Sequence, residues 1–225
     1  MRTPFWQVLS AVFRKDLLTE RRGRELLSAM GLFALLSVLV FSFALQLDLT
    51  SRREAVAGIL WVTVTFAVII GFSRGSATER ENGSFEAILI APIPRTALYL
   101  GKFLANALFA ALVGSILLPL MNVLYNVRLV NTGAWGVLLL GVIGLAATGT
   151  LLATMTVQTR SRETLLPIVM LPVTLPLLLA AVTATNAIIT NSPTSDWVGW
   201  LGLLAALDGM YIALGVLLFD YVIEG

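Results

Sequence analysis

Long uncharged apolar runs alternate with short charged segments along the chain. Leu26–Leu47 lies between Glu25 and Asp48, Ala55–Ser73 between Glu54 and Arg74, and Phe103–Val127 between Lys102 and Arg128. Leu129–Thr159 and Thr164–Ser195 are longer than one span, and their helices are placed at Trp135–Val157 and Leu165–Ile189. A last candidate, Val198–Phe219, carries Asp208 inside it. Crossing a bilayer core takes about 20 apolar residues in a helix. The pattern therefore predicts an all-α integral membrane protein with six transmembrane helices, at approximately 26–47, 55–73, 103–125, 135–157, 165–189 and 198–219. Residues 1–225 form a single transmembrane domain with no soluble domain and no internal repeat.

Composition strengthens this reading. Of the 225 residues, 58% are hydrophobic and only 12% charged. A soluble domain is about a quarter charged, so too little charge is present to cover a water-facing surface. The charges also set a direction. With the N-terminus inside, the cytoplasmic segments hold Arg2, Arg14, Lys15, Arg21, Arg22, Arg24, Arg74, Arg80, Arg95, Lys102, Arg160 and Arg162. The outer loops hold only Arg52, Arg53 and Arg128. Twelve cations against three predict both termini cytoplasmic by the positive-inside rule. A net charge of +2 with no basic tail gives no sign of a nucleic-acid partner.

Chemistry is sparse. The chain has no cysteine and no histidine. Disulfides, thiolate or imidazole metal ligation, and a His general base are all excluded. No Gly-x-x-x-x-Gly-Lys-Ser/Thr loop is present, since Gly101-Lys102 runs into Phe103. Neither a catalytic residue nor a metal site is expected, and the chain is not expected to be an enzyme. A cleaved signal peptide is not expected either, because a polar stretch of about 25 residues precedes the first apolar run.

Four segments could carry a mechanism. In Phe5–Arg24, Phe5, Leu9, Val12 and Phe13 share a helical stripe, while basic residues gather toward the end. This suits an amphipathic interfacial helix in the cytoplasmic headgroup layer, and equally a positive-inside anchor. In the loop after the second span, Asn82-Gly83 signals a turn and Ser84 can cap a helix with Glu86 in its first turn. Phe85, Ile88 and Leu89 fall on one side, and Pro92 and Pro94 end the helix. Such a short cytoplasmic helix suits a groove on a partner, or else pads the bilayer surface.

The other two segments lie inside spans. Pro167, Pro172 and Pro176 interrupt the fifth, each removing a backbone donor; a static kink or a hinge accounts for them, the kink more simply. Asp208 is a candidate substrate-pathway residue if it lies mid-bilayer. If Asn191–Ala206 forms short external or re-entrant helices, it lies instead at the outer mouth. Asn191-Ser192-Pro193 favours such a break, and the outer position is the expectation. Gly141, Gly144, Thr148, Gly149 and Ala153 line the fourth span with small residues, a packing signal in lipid.

Three stretches carry a family resemblance. They are Gly58-Ile-Leu-Trp61, Glu79-Arg-Glu-Asn-Gly-Ser-Phe-Glu-Ala-Ile-Leu-Ile-Ala-Pro92 running on to Gly101-Lys102, and Leu165-Leu-Pro-Ile-Val-Met-Leu-Pro-Val-Thr-Leu-Pro176. With the length and span count, the chain resembles the haem exporter protein B (CcmB) family. The middle stretch is shared loosely with other ABC-2-type permeases; the triple-proline stretch is more particular. The resemblance implies the permease subunit of an ABC-type haem-export system for cytochrome c maturation in the bacterial inner membrane. It implies a separate ABC ATPase that supplies the ATP, a permease homodimer, lipid contact and further cytochrome c maturation membrane subunits. Haem is the implied cargo, with no cofactor bound directly. The loop helix at about Ser84–Ile90 would be the coupling helix that docks the ATPase, with Gly83 and Glu86 the matching family positions and Ser84, Phe85, Ile88 and Leu89 alongside. The N-terminal amphipathic stretch would be the elbow helix. Alternatives are an ABC-2-type permease for a lipid, glycan or drug, and a membrane assembly scaffold without transport.

Overall fold

The computed structural model describes residues 4–44, 49–81, 93–156 and 162–224. Seven helices account for nearly all of them: α1 (Phe5–Gly23), α2 (Glu25–Ala44), α3 (Leu49–Glu81), α4 (Arg95–Leu124), α5 (Thr132–Thr156), α6 (Arg162–Ile189) and α7 (Thr194–Glu224). Among the described residues, α2 to α7 each contain a stretch long and apolar enough to cross a membrane. α1 does not; it is the short amphipathic element. Helices are what lipid demands, since each backbone donor and acceptor must find its partner within the segment.

α3 and α5 form the centre of the bundle, while α2 and α7 leave most of their surface facing outward. Between helices in lipid the hydrophobic effect gives little drive, so close packing must supply the adhesion. Trp61 and Phe72 of α3 supply it here. The Trp61 ring lies where a side chain on Gly141 of α5 would be, and the Phe72 ring does the same at Gly149. Trp61 is 1% exposed, and its indole N–H donates to Thr185 Oγ1 on α6 at 2.9 Å. One residue thus joins three helices.

α1 lies along α4, with Val8 and Val12 buried. A Cβ on Gly101 would stand 2.9 Å from Val12 Cβ and 3.0 Å from the Leu9 carbonyl oxygen. Arg24 then turns the chain with a left-handed φ of 56°, and its N–H closes back on the Glu20 carbonyl at 2.7 Å. The Glu20 carboxylate accepts from the Leu26 and Leu27 amides at 3.2 and 2.8 Å. These amides have no partner within α2, and a negative charge suits a helix N-terminus. α1 therefore caps α2.

The chain turns between α6 and α7 at Asn191, also left-handed at φ 56°. That is the break expected at Asn191-Ser192-Pro193. No second break follows: α7 runs from Thr194 to Glu224 without interruption. The expected short external helices are absent, because nothing in Thr194–Ala206 stops a helix once Pro193 has started it. Asp208 lies about 21 Å along α7 at the α-helical rise, halfway down the sixth spanning helix and not at its mouth.

Candidate functional site

Two places in the bundle gather polar groups. The first is at the end where α2 begins and α3 stops. A cavity of about 320 Å³ opens there, walled by α1 to α5. α3 carries Glu79 past the apolar part of its span, and both Lys15 of α1 and Lys102 of α4 reach it. Lys15 Nζ is 3.3 Å from Glu79 Oε1 and 2.9 Å from Asp16 Oδ1; Lys102 Nζ shares Glu79 Oε1. Burial pulls the Lys15 ammonium pKa down, but the Glu79 and Asp16 carboxylates outweigh it and the group ends above its ordinary value. One carboxylate therefore clasps three helices that are distant in sequence.

The inner wall of this cavity is neutral and polar. Asn106 on α4 donates to Thr150 Oγ1 on α5 at 3.0 Å, and the Thr154 hydroxyl returns to the Thr150 carbonyl at 2.9 Å. Arg74 on α3 and Glu25 on α2 also line the space. Among the described residues, neither forms an ion pair or a side-chain hydrogen bond.

The second place is the bundle interior. Asp208 is 4% exposed, and among the described residues neither carboxylate oxygen has a hydrogen-bond partner. It faces α5 at Gly144, where a Cβ would stand 2.5 Å from Asp208 Oδ1 and 2.6 Å from Leu177 Cδ1 of α6. Nearby hydroxyls are engaged elsewhere. Thr148 donates to the Gly144 carbonyl at 2.9 Å, and Tyr211, one turn beyond Asp208, donates to the Val173 carbonyl at 2.7 Å.

The residues singled out from sequence distribute as follows. Pro167, Pro172 and Pro176 all lie within α6, which is continuous from Arg162 to Ile189. Tyr211 ties α7 to α6 three residues before Pro176, so the proline stretch and Asp208 share one neighbourhood. Gly83, Ser84, Phe85, Glu86, Ile88 and Leu89 fall outside the described residues. The clasp of Glu79 by Lys15 and Lys102 was not anticipated. Its only signal in sequence is a carboxylate one helical turn beyond the basic end of an apolar run.

A match to the family described as CcmB protein extends over residues 7–222. The chain belongs to the CcmB family. Heme exporter protein B of Bradyrhizobium diazoefficiens is 30% identical to it over 186 residues, 81% of this chain and 83% of that protein. The protein of the same name from Pseudomonas aeruginosa is 29% identical over 196 residues, 86% of this chain and 87% of the relative. For Escherichia coli K12 the figures are 27% over 209 residues and 90% of each chain. With six helices among the described residues long and apolar enough to cross a membrane, this member of the family is a multi-pass protein of the inner membrane.

Proposed function

We propose that this chain is the membrane subunit of an ABC-type haem-export system. A separate ATPase would drive it, coupling ATP hydrolysis to haem delivery or to release of a haem-loaded chaperone during cytochrome c maturation. Family membership and the names of the relatives support the haem-export role. The clasp at Glu79 supports the coupling. α3 and α4 flank residues 82–92, and Glu79 joins those two helices to each other and to α1. By the charge count this end faces the cytoplasm, where an ATPase would sit. A push on the intervening segment would reach three helices as a unit, which is what a coupling element must do.

The docking helix is assigned to about Ser84–Ile90, with Phe85, Ile88 and Leu89 as its apolar face and Gly83 and Glu86 at its start. The ATP chemistry belongs to the partner subunit. Haem iron would find its ligands elsewhere, since this chain offers neither histidine nor cysteine. A tagged chain extracted in mild detergent should carry an ATPase subunit with it, and its absence would sink the proposal. Glu86→Arg should uncouple ATP hydrolysis while the chain still folds. Normal coupling in that variant would remove the loop from the mechanism. Deletion should abolish c-type cytochromes; normal cytochromes would favour a permease for another cargo. An ATPase that binds while no substrate crosses would favour a scaffold.

A further inference from the structure

The cavity between α1 and α5 has features that the coupling proposal does not use. It sits where the apolar stretches of α2 and α3 end, at Glu25 and Glu79, and so at headgroup depth in a bilayer. Its inner end is lined by Leu26, Phe72 and Phe109 and adjoins an apolar cleft with Met30, Val68 and Ala110. The space is charged outward and apolar inward. At about 320 Å³ it is of the size of a small-ligand pocket, which begins at about 300 Å³.

The charges narrow the ligand. Three cations line the cavity, Lys15, Arg74 and Lys102, against the carboxylates of Asp16, Glu20, Glu25 and Glu79. Most are already matched. Lys15 and Lys102 hold Glu79, Asp16 holds Lys15, and Glu20 caps α2. Arg74 and Glu25 remain, one cation and one carboxylate on different walls. A ligand that meets both has a phosphate for the guanidinium and an N–H-bearing cation for the carboxylate. A net anionic head would face a surplus of carboxylates, and a choline head has no N–H to donate. α2 packs chiefly on α3 and more lightly on α4 and α1, so the flank of α2 away from α3 is the seam at which acyl chains can stay in lipid.

We propose that this cavity holds one zwitterionic phospholipid with a primary ammonium, its phosphate on Arg74 and its ammonium on Glu25. The site does not depend on the ATPase assignment and survives if that fails.

The test uses the delipidated full chain in mild detergent. Phosphatidylethanolamine, phosphatidylcholine, phosphatidylglycerol and soluble O-phosphoethanolamine are added separately, with bound lipid read by native mass spectrometry and Tm by thermal shift. One phosphatidylethanolamine should be retained and should raise Tm, and the other two lipids should do neither. Arg74→Gln and Glu25→Gln should each weaken retention about tenfold, the equivalent of losing one charged hydrogen bond. Both side chains are exposed, so the lipid-free Tm should hold; should either variant fail to fold, the comparison of lipids on the native chain decides alone. Equal retention of phosphatidylcholine or phosphatidylglycerol overturns the proposal, as does unchanged retention in both variants. If O-phosphoethanolamine matches the full lipid, the site takes a free headgroup and the lipid assignment falls.

Discussion

Glu79 and Asp208 are both carboxylates on spanning helices, and their surroundings are opposite. Glu79 lies at the end of α3, with two ammonium groups on one oxygen. Asp208 lies halfway along α7 against Gly144 and Leu177, with no donor to either oxygen among the described residues. The first is an ion pair near the headgroups, where water and partners are at hand. The second is a polar group held by packing alone. A buried polar group without a partner is destabilising, and an ionisable side chain inside a membrane is costly. The contrast separates what holds the bundle together from what it tolerates.

Glu79→Gln should break that contrast with the largest effect. It leaves two lysines facing each other without their shared anion. Loss of one member of a buried pair typically costs about 3–5 kcal/mol; with Lys15 38% exposed, the expectation is about 1–3 kcal/mol of stability by that same measure. A drop in Tm in detergent would register it, and an unchanged Tm would mean that the clasp contributes nothing. Gly144→Ala should follow, at about 1–2 kcal/mol, because its methyl overlaps both Asp208 and Leu177. Asp208→Ala in the same chain should recover part of that loss, and a double-mutant cycle reads the coupling. Additive losses would place the carboxylate away from Gly144.

Asp208→Asn should do least. It keeps the volume and removes a carboxylate that makes no hydrogen bond among the described residues, so stability should stay within about 1 kcal/mol of the native chain or rise, with Tm following. A fall as large as that of Glu79→Gln would show that Asp208 has a partner in the working complex.

Much of the architecture could be read from the chain because apolar run length decides spanning in lipid. The small residues of the fourth span also reported their role correctly: Gly141, Gly144 and Gly149 each receive a large group from another helix. Two features were hidden. Arg74 ends the second apolar run, yet the helix continues to Glu81. That extension brings Glu79 to lysines 64 and 23 residues away, and no local pattern contains that information. The outer position expected for Asp208 fails because the turn at Asn191-Ser192-Pro193 is short and α7 begins at once after it. Pro193 in fact stands just before the helix, where its missing N–H is harmless. Glu20 stands in sequence only as a carboxylate beside Arg21 and Arg22, and its capping of α2 depends on the left-handed turn at Arg24.

The seating of Trp61 and Phe72 over Gly141 and Gly149 limits how this bundle can move. Sliding α3 along α5 by one residue would drive both rings against the Cβ atoms that flank each glycine, and it would pull the indole off Thr185. The two helices behave as a toothed rack with its pawl engaged. They can tilt or turn together, but they cannot shear past one another. A displacement of α3 would therefore carry α5 and α6 with it as one block, and α2 and α7, packed chiefly on α3 and α5, would be drawn along.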